Sequence, residues 1–197
     1  MTASSASAEN QELVKRINAA IGRNFFKPEK FGLSREKLPF YQDAELVRAT
    51  SFSARPNVTK SYVCTQSDVF ALDGSKEAIE EVNAKETLDL NDGTIIPYVT
   101  FFLNSLATPD GKFKLINTVS DIPFETAIDA ETVRNLSILI KKPVFEKKGE
   151  GFSIEASILY AATLYQATIS VSKDGNVDIN DEQPVYSDLP ISLRKKR

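Results

Sequence analysis

The stretch PVFEKKGEGFSIEASILYAATLYQATISVSKDGNVDINDE, residues 143–182, decides the fold. Two turn signals divide it, Lys148-Gly149-Glu150-Gly151 and Lys173-Asp174-Gly175-Asn176. Around these turns apolar and polar residues alternate, as they do in strands that have one packed face and one solvated face. The pattern therefore predicts an antiparallel β-meander at the C-terminal end of the domain.

The alternation also assigns residues to the two faces of this meander. The packed face should carry Phe152, Ile154, Ala156, Ile158 and Tyr160 on one strand and Tyr165, Ala167, Ile169 and Val171 on the next. The solvated face should carry Ser153, Glu155, Ser157, Gln166, Thr168 and Ser170. A sheet of this kind needs a cover on its packed face, and helices elsewhere in the chain can supply it.

Helical and strand patterns outside the meander complete an α+β prediction. Helices are expected at about 9–22, from Asp73-Gly74-Ser75 to Lys85, at 94–106 and from the capping Asp129 to Ile140, and strands at 45–53, 60–66 and 112–119. The helix at 94–106 is apolar nearly all round and should be the central buried one. We expect a single domain whose helices pack on one face of a mostly antiparallel sheet.

Length and composition favour one domain with short tails. The 197 residues are 42% hydrophobic and 26% charged, which are ordinary globular values. We predict a disordered tail at 1–8, a single α+β domain at 9–190 and a basic tail at 191–197 that ends in Arg194-Lys195-Lys196-Arg197.

Charge and missing residue types narrow the function classes. The net charge of −3 argues against electrostatic binding to nucleic acid or an anionic membrane, and no apolar run reaches the length of a membrane span. The chain has no His and one Cys, so the commonest general base, an internal disulfide and a thiolate metal cluster are all missing. The sequence assigns no catalytic, cofactor-binding or metal-binding residue, and an enzyme is the less favoured class.

Three local patterns suggest chemistry, and each has a plainer interpretation. Acidic and amide residues alternate from Asp174 as in a calcium loop, but the sixth position is Ile179 instead of Gly and the twelfth is Val185 instead of Glu. Ser34-Arg-Glu-Lys37 matches a serine acyl-enzyme pattern without its companion motifs, so Ser34 is better explained as a helix cap. Cys64 lies on a predicted strand as a buried structural residue.

The favoured hypothesis is a non-enzymatic binding or accessory protein that acts through protein contacts or self-association. It is motivated by an aromatic, proline-punctuated segment, residues 24–41, here called the aromatic segment. Its candidate partner-binding residues are Phe25, Phe26, Phe31, Phe40 and Tyr41.

Two alternatives stay open. One is a small-molecule carrier with an apolar pocket between the sheet and the central helix, lined by Phe101, Phe102, Tyr160 and Tyr165. The other is a His-independent enzyme that uses carboxylates, Tyr, Lys or Arg. The small, polar N-terminus favours a cytoplasmic protein, and an exported protein whose signal peptide has been removed is the alternative.

Overall fold

The computed structural model of the chain describes residues 3–191, and for residues 3–7 it describes the backbone alone. Helices and antiparallel sheets coexist, as predicted for an α+β protein, and strands hold 38% of the residues against 26% in helices. The chain divides into two compact units. Unit 1 holds the chain through Asp73 together with Glu77–Thr87, and unit 2 holds Gly74–Lys76 and the chain from Leu88 onward. The single domain at 9–190 stays a prediction.

Unit 1 is built on a four-stranded antiparallel sheet with the strand order β1-β2-β3-β4. Its elements are α1 (Ala3–Ala20), β1 (Phe31–Lys37), β2 (Glu45–Ser51), β3 (Val58–Cys64), β4 (Val69–Leu72) and α2 (Lys76–Lys85), of which Lys76 itself belongs to unit 2. The strands predicted at 45–53 and 60–66 and the helix ending at Lys85 are confirmed within two residues at each shared boundary. Ile79 and Val82 of α2 are fully buried.

Helix α1 packs its apolar stripe on one face of this sheet. Leu13, Val14 and Ile17 form a core with Phe26 and with the β2 and β3 residues Val47, Ala49, Tyr62 and Cys64. The helix begins at Ala3, about two turns earlier than its apolar pattern predicted, because the Ala residues before Glu9 have high helix propensity although they carry no apolar periodicity. Of the predicted tail at 1–8, Met1 and Thr2 lie outside the described residues.

The aromatic segment contains a strand that the sequence analysis missed. β1 pairs with β2 over its whole length, from Phe31 opposite Ser51 to Lys37 opposite Glu45. Ser34 lies opposite Arg48 within this ladder, so the interpretation of Ser34 as a helix cap is wrong. The charged run Arg35-Glu36-Lys37 had obscured the strand, but such residues are normal on the edge of a sheet.

Unit 2 contains the meander and the central helix. Its elements are α3 (Ile95–Ser105), β5 (Ala107–Thr108), β6 (Gly111–Lys112), β7 (Lys114–Ile116), a turn of 3₁₀ helix (Val119–Asp121), α4 (Ala130–Leu139), β8 (Val144–Lys148), β9 (Gly151–Tyr160), β10 (Thr163–Val171) and β11 (Val177–Tyr186). The main sheet has the order β11-β10-β9-β7, and β8 also pairs with β9. β5 and β6 form a separate small hairpin.

The register of the meander confirms the predicted packed face. Ile158 lies opposite Tyr165, and the next two pairs on the same face are Ala156 with Ala167 and Ile154 with Ile169. The turn before β9 depends on Gly151, because a Cβ at this position would lie 2.3 Å from the carbonyl oxygen of Val171. The Lys173–Asn176 turn links β10 to β11, so the calcium-loop pattern is a hairpin, as the plainer interpretation predicted.

The opposite face of the meander is only partly solvated, which corrects the prediction. Leu136 of α4 packs on Leu159 and Leu164, which share a face with Ser157 and Gln166. The Ser157 hydroxyl accepts a hydrogen bond from the Lys141 amide at 2.9 Å, and the Gln166 side chain donates one to the Leu139 carbonyl at 2.9 Å. These polar residues therefore hold the end of a helix that covers part of the face.

The turn between β9 and β10 has an unusual composition. Tyr160 pairs with Thr163, and the two residues between them, Ala161 and Ala162, have positive φ angles of 46° and 62°. Two successive left-handed residues form the tight turn that matches strand twist, and Asn-Gly is the usual sequence for it. Alanine has no such preference, so the strands on either side impose this conformation on the turn.

The two remaining helices of unit 2 follow their sequence signals. α3 buries Ile95, Tyr98, Val99, Phe101, Phe102 and Leu103, and the Tyr98 hydroxyl donates a 2.5 Å hydrogen bond to the carbonyl of Gly175. Asp129 caps α4 by accepting a hydrogen bond from the Thr132 amide at 2.8 Å, as predicted. Within α4, Leu136 is buried and Val133 is 38% exposed.

Two further predictions concern the C-terminal tail and the absence of a membrane span. Ile191 forms a bridge with Phe124, and the basic residues 192–197 of the predicted tail lie outside the described residues. Among the helices of the described part, none combines the length and apolar character that crossing a membrane requires.

Candidate binding groove

The five candidate partner-binding residues of the aromatic segment differ in their accessibility. Phe26, Phe40 and Tyr41 are at most 4% exposed, so their rings belong to the core. Phe25 and Phe31 are half-buried against the core under α1. Arg23 and Lys60 lie over the Phe25 ring at 5.2 and 5.6 Å from its centroid. Direct contact of the aromatic segment with a partner stays a prediction, and it now depends on Phe25 and Phe31.

The four candidate pocket residues take structural positions. Phe101 and Phe102 are buried on α3. The Tyr160 ring stacks on Phe113 with centroids 4.3 Å apart, and its hydroxyl lies 2.8 Å from the Thr108 hydroxyl. Tyr165 lies half-buried in β10. The three cavities described below are lined by other residues, and an apolar pocket between sheet and central helix stays a prediction.

A groove of about 680 Å³ lies in unit 1, between α1, the ends of the strands and the turn that joins β1 to β2. We call it the α1–β1 groove. Its lining comprises Glu9, Leu13 and Arg16 from α1, Arg35 and Lys37 from β1, Leu38, Pro39 and residues 41–44 of the turn, Glu45 from β2, Cys64 from β3 and the following residues Thr65 and Gln66. Its volume falls within the range of small-molecule sites.

One stripe of α1 forms a wall of this groove because of helical periodicity. Glu9, Leu13 and Arg16 are spaced four and three residues apart, which places them above one another on the same helix face. Arg16 donates hydrogen bonds to the carbonyl of Thr65 at 2.8 Å and to that of Asp68 at 3.3 Å. These bonds tie the helix to the turn between β3 and β4.

The opposite wall is a rigid turn. Pro39 occupies the second position of a β-turn that is closed by a hydrogen bond from the Tyr41 amide to the Leu38 carbonyl at 3.1 Å. The Phe40 and Tyr41 rings meet edge to face, with centroids 4.9 Å apart. The Tyr41 hydroxyl lies 2.5 Å from the Asn83 side-chain oxygen, which anchors the turn to α2. The groove wall is therefore preformed.

Arg35 organises the floor of the groove. Its Nε atom donates to Glu45 at 2.7 Å, and its Nη1 atom donates to Glu9 at 2.9 Å. The hydrogen bonds that the guanidinium donates to the two carboxylates, first to Glu45 and then to Glu9, raise the pKa of Arg35 above its ordinary value. The guanidinium thus joins α1 to β2 and presents a fixed charge network instead of a mobile side chain.

The lining mixes both signs of charge with apolar surface. Besides Arg35 and its two partners, it contains Arg16, Lys37 and Asp43. The ammonium group of Lys37 makes no ion pair with any residue in the described part of the chain. Leu13, Leu38 and Ala44 contribute the apolar part. Such a lining suits a ligand that carries charged and apolar groups side by side, as a peptide does.

The groove offers little nucleophilic chemistry. Burial raises the pKa of the Cys64 thiol to about 11, so the thiol is protonated at neutral pH. Ser34 and Lys37 are three residues apart on a strand, which directs their side chains to opposite faces of the sheet, and the Ser-Lys pattern is therefore not a catalytic pair. Among the described residues, no group of three acidic or cysteine side chains converges to hold a metal ion.

Two further cavities lie in unit 2. The larger, of about 440 Å³, lies beside the β10–β11 turn and is lined by residues that include Phe152, Lys173 and Asp178. The smaller, of about 180 Å³, lies on the polar face of the meander near Lys141 and Gln166. Both are smaller than the α1–β1 groove.

Sequence reasoning missed the groove because its residues are far apart in the chain and individually ordinary. Glu9, Arg35 and Glu45 are brought together only by the packing of α1 on the sheet. Within β1 the charged run Arg35-Glu36-Lys37 shows no alternation of apolar and polar residues that could have marked the strand.

No protein-family model, curated protein or solved structure matches this chain.

Proposed function

We propose that the protein is a non-enzymatic binding protein that captures a segment of a partner protein in the α1–β1 groove. The observation that supports this most strongly is the groove itself, a preformed cavity of about 680 Å³ with charged and apolar lining. Rigid walls reduce the entropy lost on binding, which favours recognition over mere surface contact.

The lining supports a protein ligand in particular. Arg35 is held between Glu9 and Glu45, so the floor carries paired charges and needs no counter-ion from the ligand. Arg16 is engaged with backbone carbonyls of its own chain. What the groove still offers is apolar surface from Leu13 and Leu38 together with the charged groups of Lys37 and Asp43. A peptide can meet both needs with adjacent side chains.

Peptide selection tests this proposal. A random dodecapeptide display library is panned on the full chain, and the affinities of the enriched peptides are measured by calorimetry. We expect the groove variants Lys37→Glu and Asp43→Lys each to change the affinity by about threefold or more, the size of a rim charge contact.

Lys27→Glu is the matched control, because Lys27 is an exposed cation of unit 1 that does not line the groove. Its affinity should equal that of the unaltered chain. Absence of any enriched peptide, or equal effects of Lys37→Glu and Lys27→Glu, would contradict the proposal.

A further inference from the structure

The proposed binding of a protein segment can be sharpened at β1, the first strand in the order of its sheet. In the described part of the chain, no strand pairs with the outer side of β1. Ser34, Arg35, Glu36 and Lys37 are exposed, whereas Phe31, Gly32 and Leu33 are half-buried. The accessible edge is therefore the second half of the strand.

Two backbone hydrogen bonds fix which residues of β1 face this open edge. At one end of the ladder the Leu38 amide donates to the Ala44 carbonyl at 3.1 Å, and at the other the Phe52 amide donates to the Lys30 carbonyl at 3.0 Å. In an antiparallel ladder the residues bonded to the neighbour alternate with residues whose N–H and C=O point away from it. Even-numbered residues of β1 therefore bond to β2, and Arg35 and Lys37 direct their backbone groups outward.

The same two residues line the α1–β1 groove with their side chains. An extended segment that pairs with their backbone groups would thus place alternate side chains beside the groove. Arg35 is already engaged with Glu9 and Glu45, while Lys37 has no ion-pair partner among the described residues. Charge complementarity calls for an acidic side chain opposite Lys37.

Pairing of β1 with a second copy of itself is disfavoured by the same geometry. Antiparallel registers that join outward-facing residues within the exposed half set Arg35 opposite Arg35, Arg35 opposite Lys37, or Lys37 opposite Lys37. Like charges directly opposite each other destabilise a strand pair. The edge therefore suits a foreign acidic segment better than another copy of this chain.

We propose that the outer edge of β1 accepts an extended, acidic segment of another protein, which pairs with the backbone of Arg35 and Lys37 and sets a carboxylate beside the Lys37 ammonium. This inference rests on the proposed function and names the chemistry and conformation of the partner. The backbone pairing supplies affinity, and the carboxylate supplies selectivity.

Amide hydrogen exchange measured by NMR on the full chain tests the pairing. Peptides enriched from the dodecapeptide library should contain more Asp and Glu than the unselected library. When bound, they should slow exchange at the amides of Arg35 and Lys37 by about tenfold or more, since these amides gain hydrogen bonds, and leave Ser34 and Glu36 nearly unchanged.

A pair of variants separates backbone pairing from charge. Lys37→Pro removes the outward N–H and should weaken binding by about tenfold, the loss of a hydrogen bond together with the charge contact. Lys37→Gln keeps the N–H and should weaken it by only about threefold.

Each outcome is decisive. Enriched peptides that bind in the groove but leave the Arg35 and Lys37 amides exchanging as before would overturn the edge pairing and leave the proposed function standing. Enrichment without acidic residues, or equal losses for Lys37→Pro and Lys37→Gln, would also overturn the inference. If no peptide is enriched, both the inference and the proposed function fail.

Discussion

Individual residues in this protein show how burial and hydrogen bonding act together. Tyr62 and Tyr98 are both buried, at 1% and 0% exposure. The Tyr98 hydroxyl bonds to the Gly175 carbonyl, whereas the Tyr62 hydroxyl has no hydrogen-bond partner among the described residues. Burial accordingly raises the pKa of Tyr62. A hydrogen bond therefore offsets the cost of burying the Tyr98 hydroxyl, whereas no bond within the described residues offsets that cost for Tyr62.

Replacing each tyrosine by phenylalanine tests this difference. Tyr98→Phe should lower the free energy of unfolding by about 1–2 kcal/mol, because a buried hydrogen bond is lost. Tyr62→Phe should change it by less than about 0.5 kcal/mol or raise it, because an unpartnered hydroxyl leaves the core. Urea unfolding followed by circular dichroism gives both values, and a Tyr62→Phe loss as large as that of Tyr98→Phe would refute the assignment.

Asp121 predicts a pH dependence of stability. Its carboxylate accepts hydrogen bonds from the amides of Asn117 and Thr118, both at 2.9 Å, and the Asn117 bond is the largest cause of its lowered pKa. A carboxyl whose folded pKa is lowered stabilises the protein above its unfolded pKa and loses that effect as pH falls through the folded pKa. The stabilisation is therefore present at neutral pH and disappears in acid.

Asp121→Ala should lower the free energy of unfolding at neutral pH by about 1 kcal/mol, a typical capping contribution. This difference should shrink as the pH falls below about 4, where unfolded carboxyls become protonated. Glu125→Ala, at an exposed carboxylate of the same unit, is the control. A loss that stays constant from neutral to acid pH would contradict the assignment.

Among the helices and strands, the sequence predicted best those for which residue periodicity and turn signals indicated the same structure. The β8–β11 meander and α3 were predicted because alternation, or an all-round apolar helix, is decided by neighbouring residues. β1 was missed because its apolar residues stop at Leu33 and its charged half is stabilised by contacts with distant parts of the chain, namely β2 and Glu9 of α1. The cover that α4 places on Ser157 and Gln166 was missed because side-chain bonds between distant segments leave no local pattern.

The β9–β10 turn offers an element-scale prediction. Ala161 and Ala162 adopt left-handed conformations that cost an alanine about 1 kcal/mol each. The double substitution Ala161→Asn with Ala162→Gly should raise the free energy of unfolding by about 1 kcal/mol, since an Asn-Gly pair favours the turn. Thermal unfolding of the double variant measures this change. A lowered melting temperature would show that the alanine side chains, and not the strands, determine the turn.

Even-numbered residues of β1 bond to β2, whereas odd-numbered residues point to the open edge, and this alternation leads to a second prediction. Glu36→Pro should remove a bonded amide and lower the free energy of unfolding by about 3 kcal/mol. Lys37→Pro should cost less than about 1 kcal/mol, because the lost N–H points to the open edge. Urea unfolding of the two variants measures both costs. A larger cost for Lys37→Pro would mean that the odd-numbered residues of β1 bond to β2. That result, or equal costs for the two variants, would contradict the open-edge proposal.

The candidate groove forms only when distant parts of the chain come together in the fold. Its residue types were visible in the sequence, but the meeting of Glu9, Arg35 and Glu45 requires α1 to lie on the sheet. The aromatic segment was predicted to bind a partner through its rings. Two of these rings, Phe40 and Tyr41, instead support the groove wall. The residues of this segment that line the groove are those of the charged half of β1 and of the turn that follows.

The most direct test of the groove is a chemical-shift map of the isotope-labelled full chain with a selected peptide. We expect the largest shifts at amides that line the groove, among them Leu13, Arg16, Gln42 and Asp43. Shifts clustered instead around the 440 Å³ cavity of unit 2, near Lys173 and Asp178, would contradict the account.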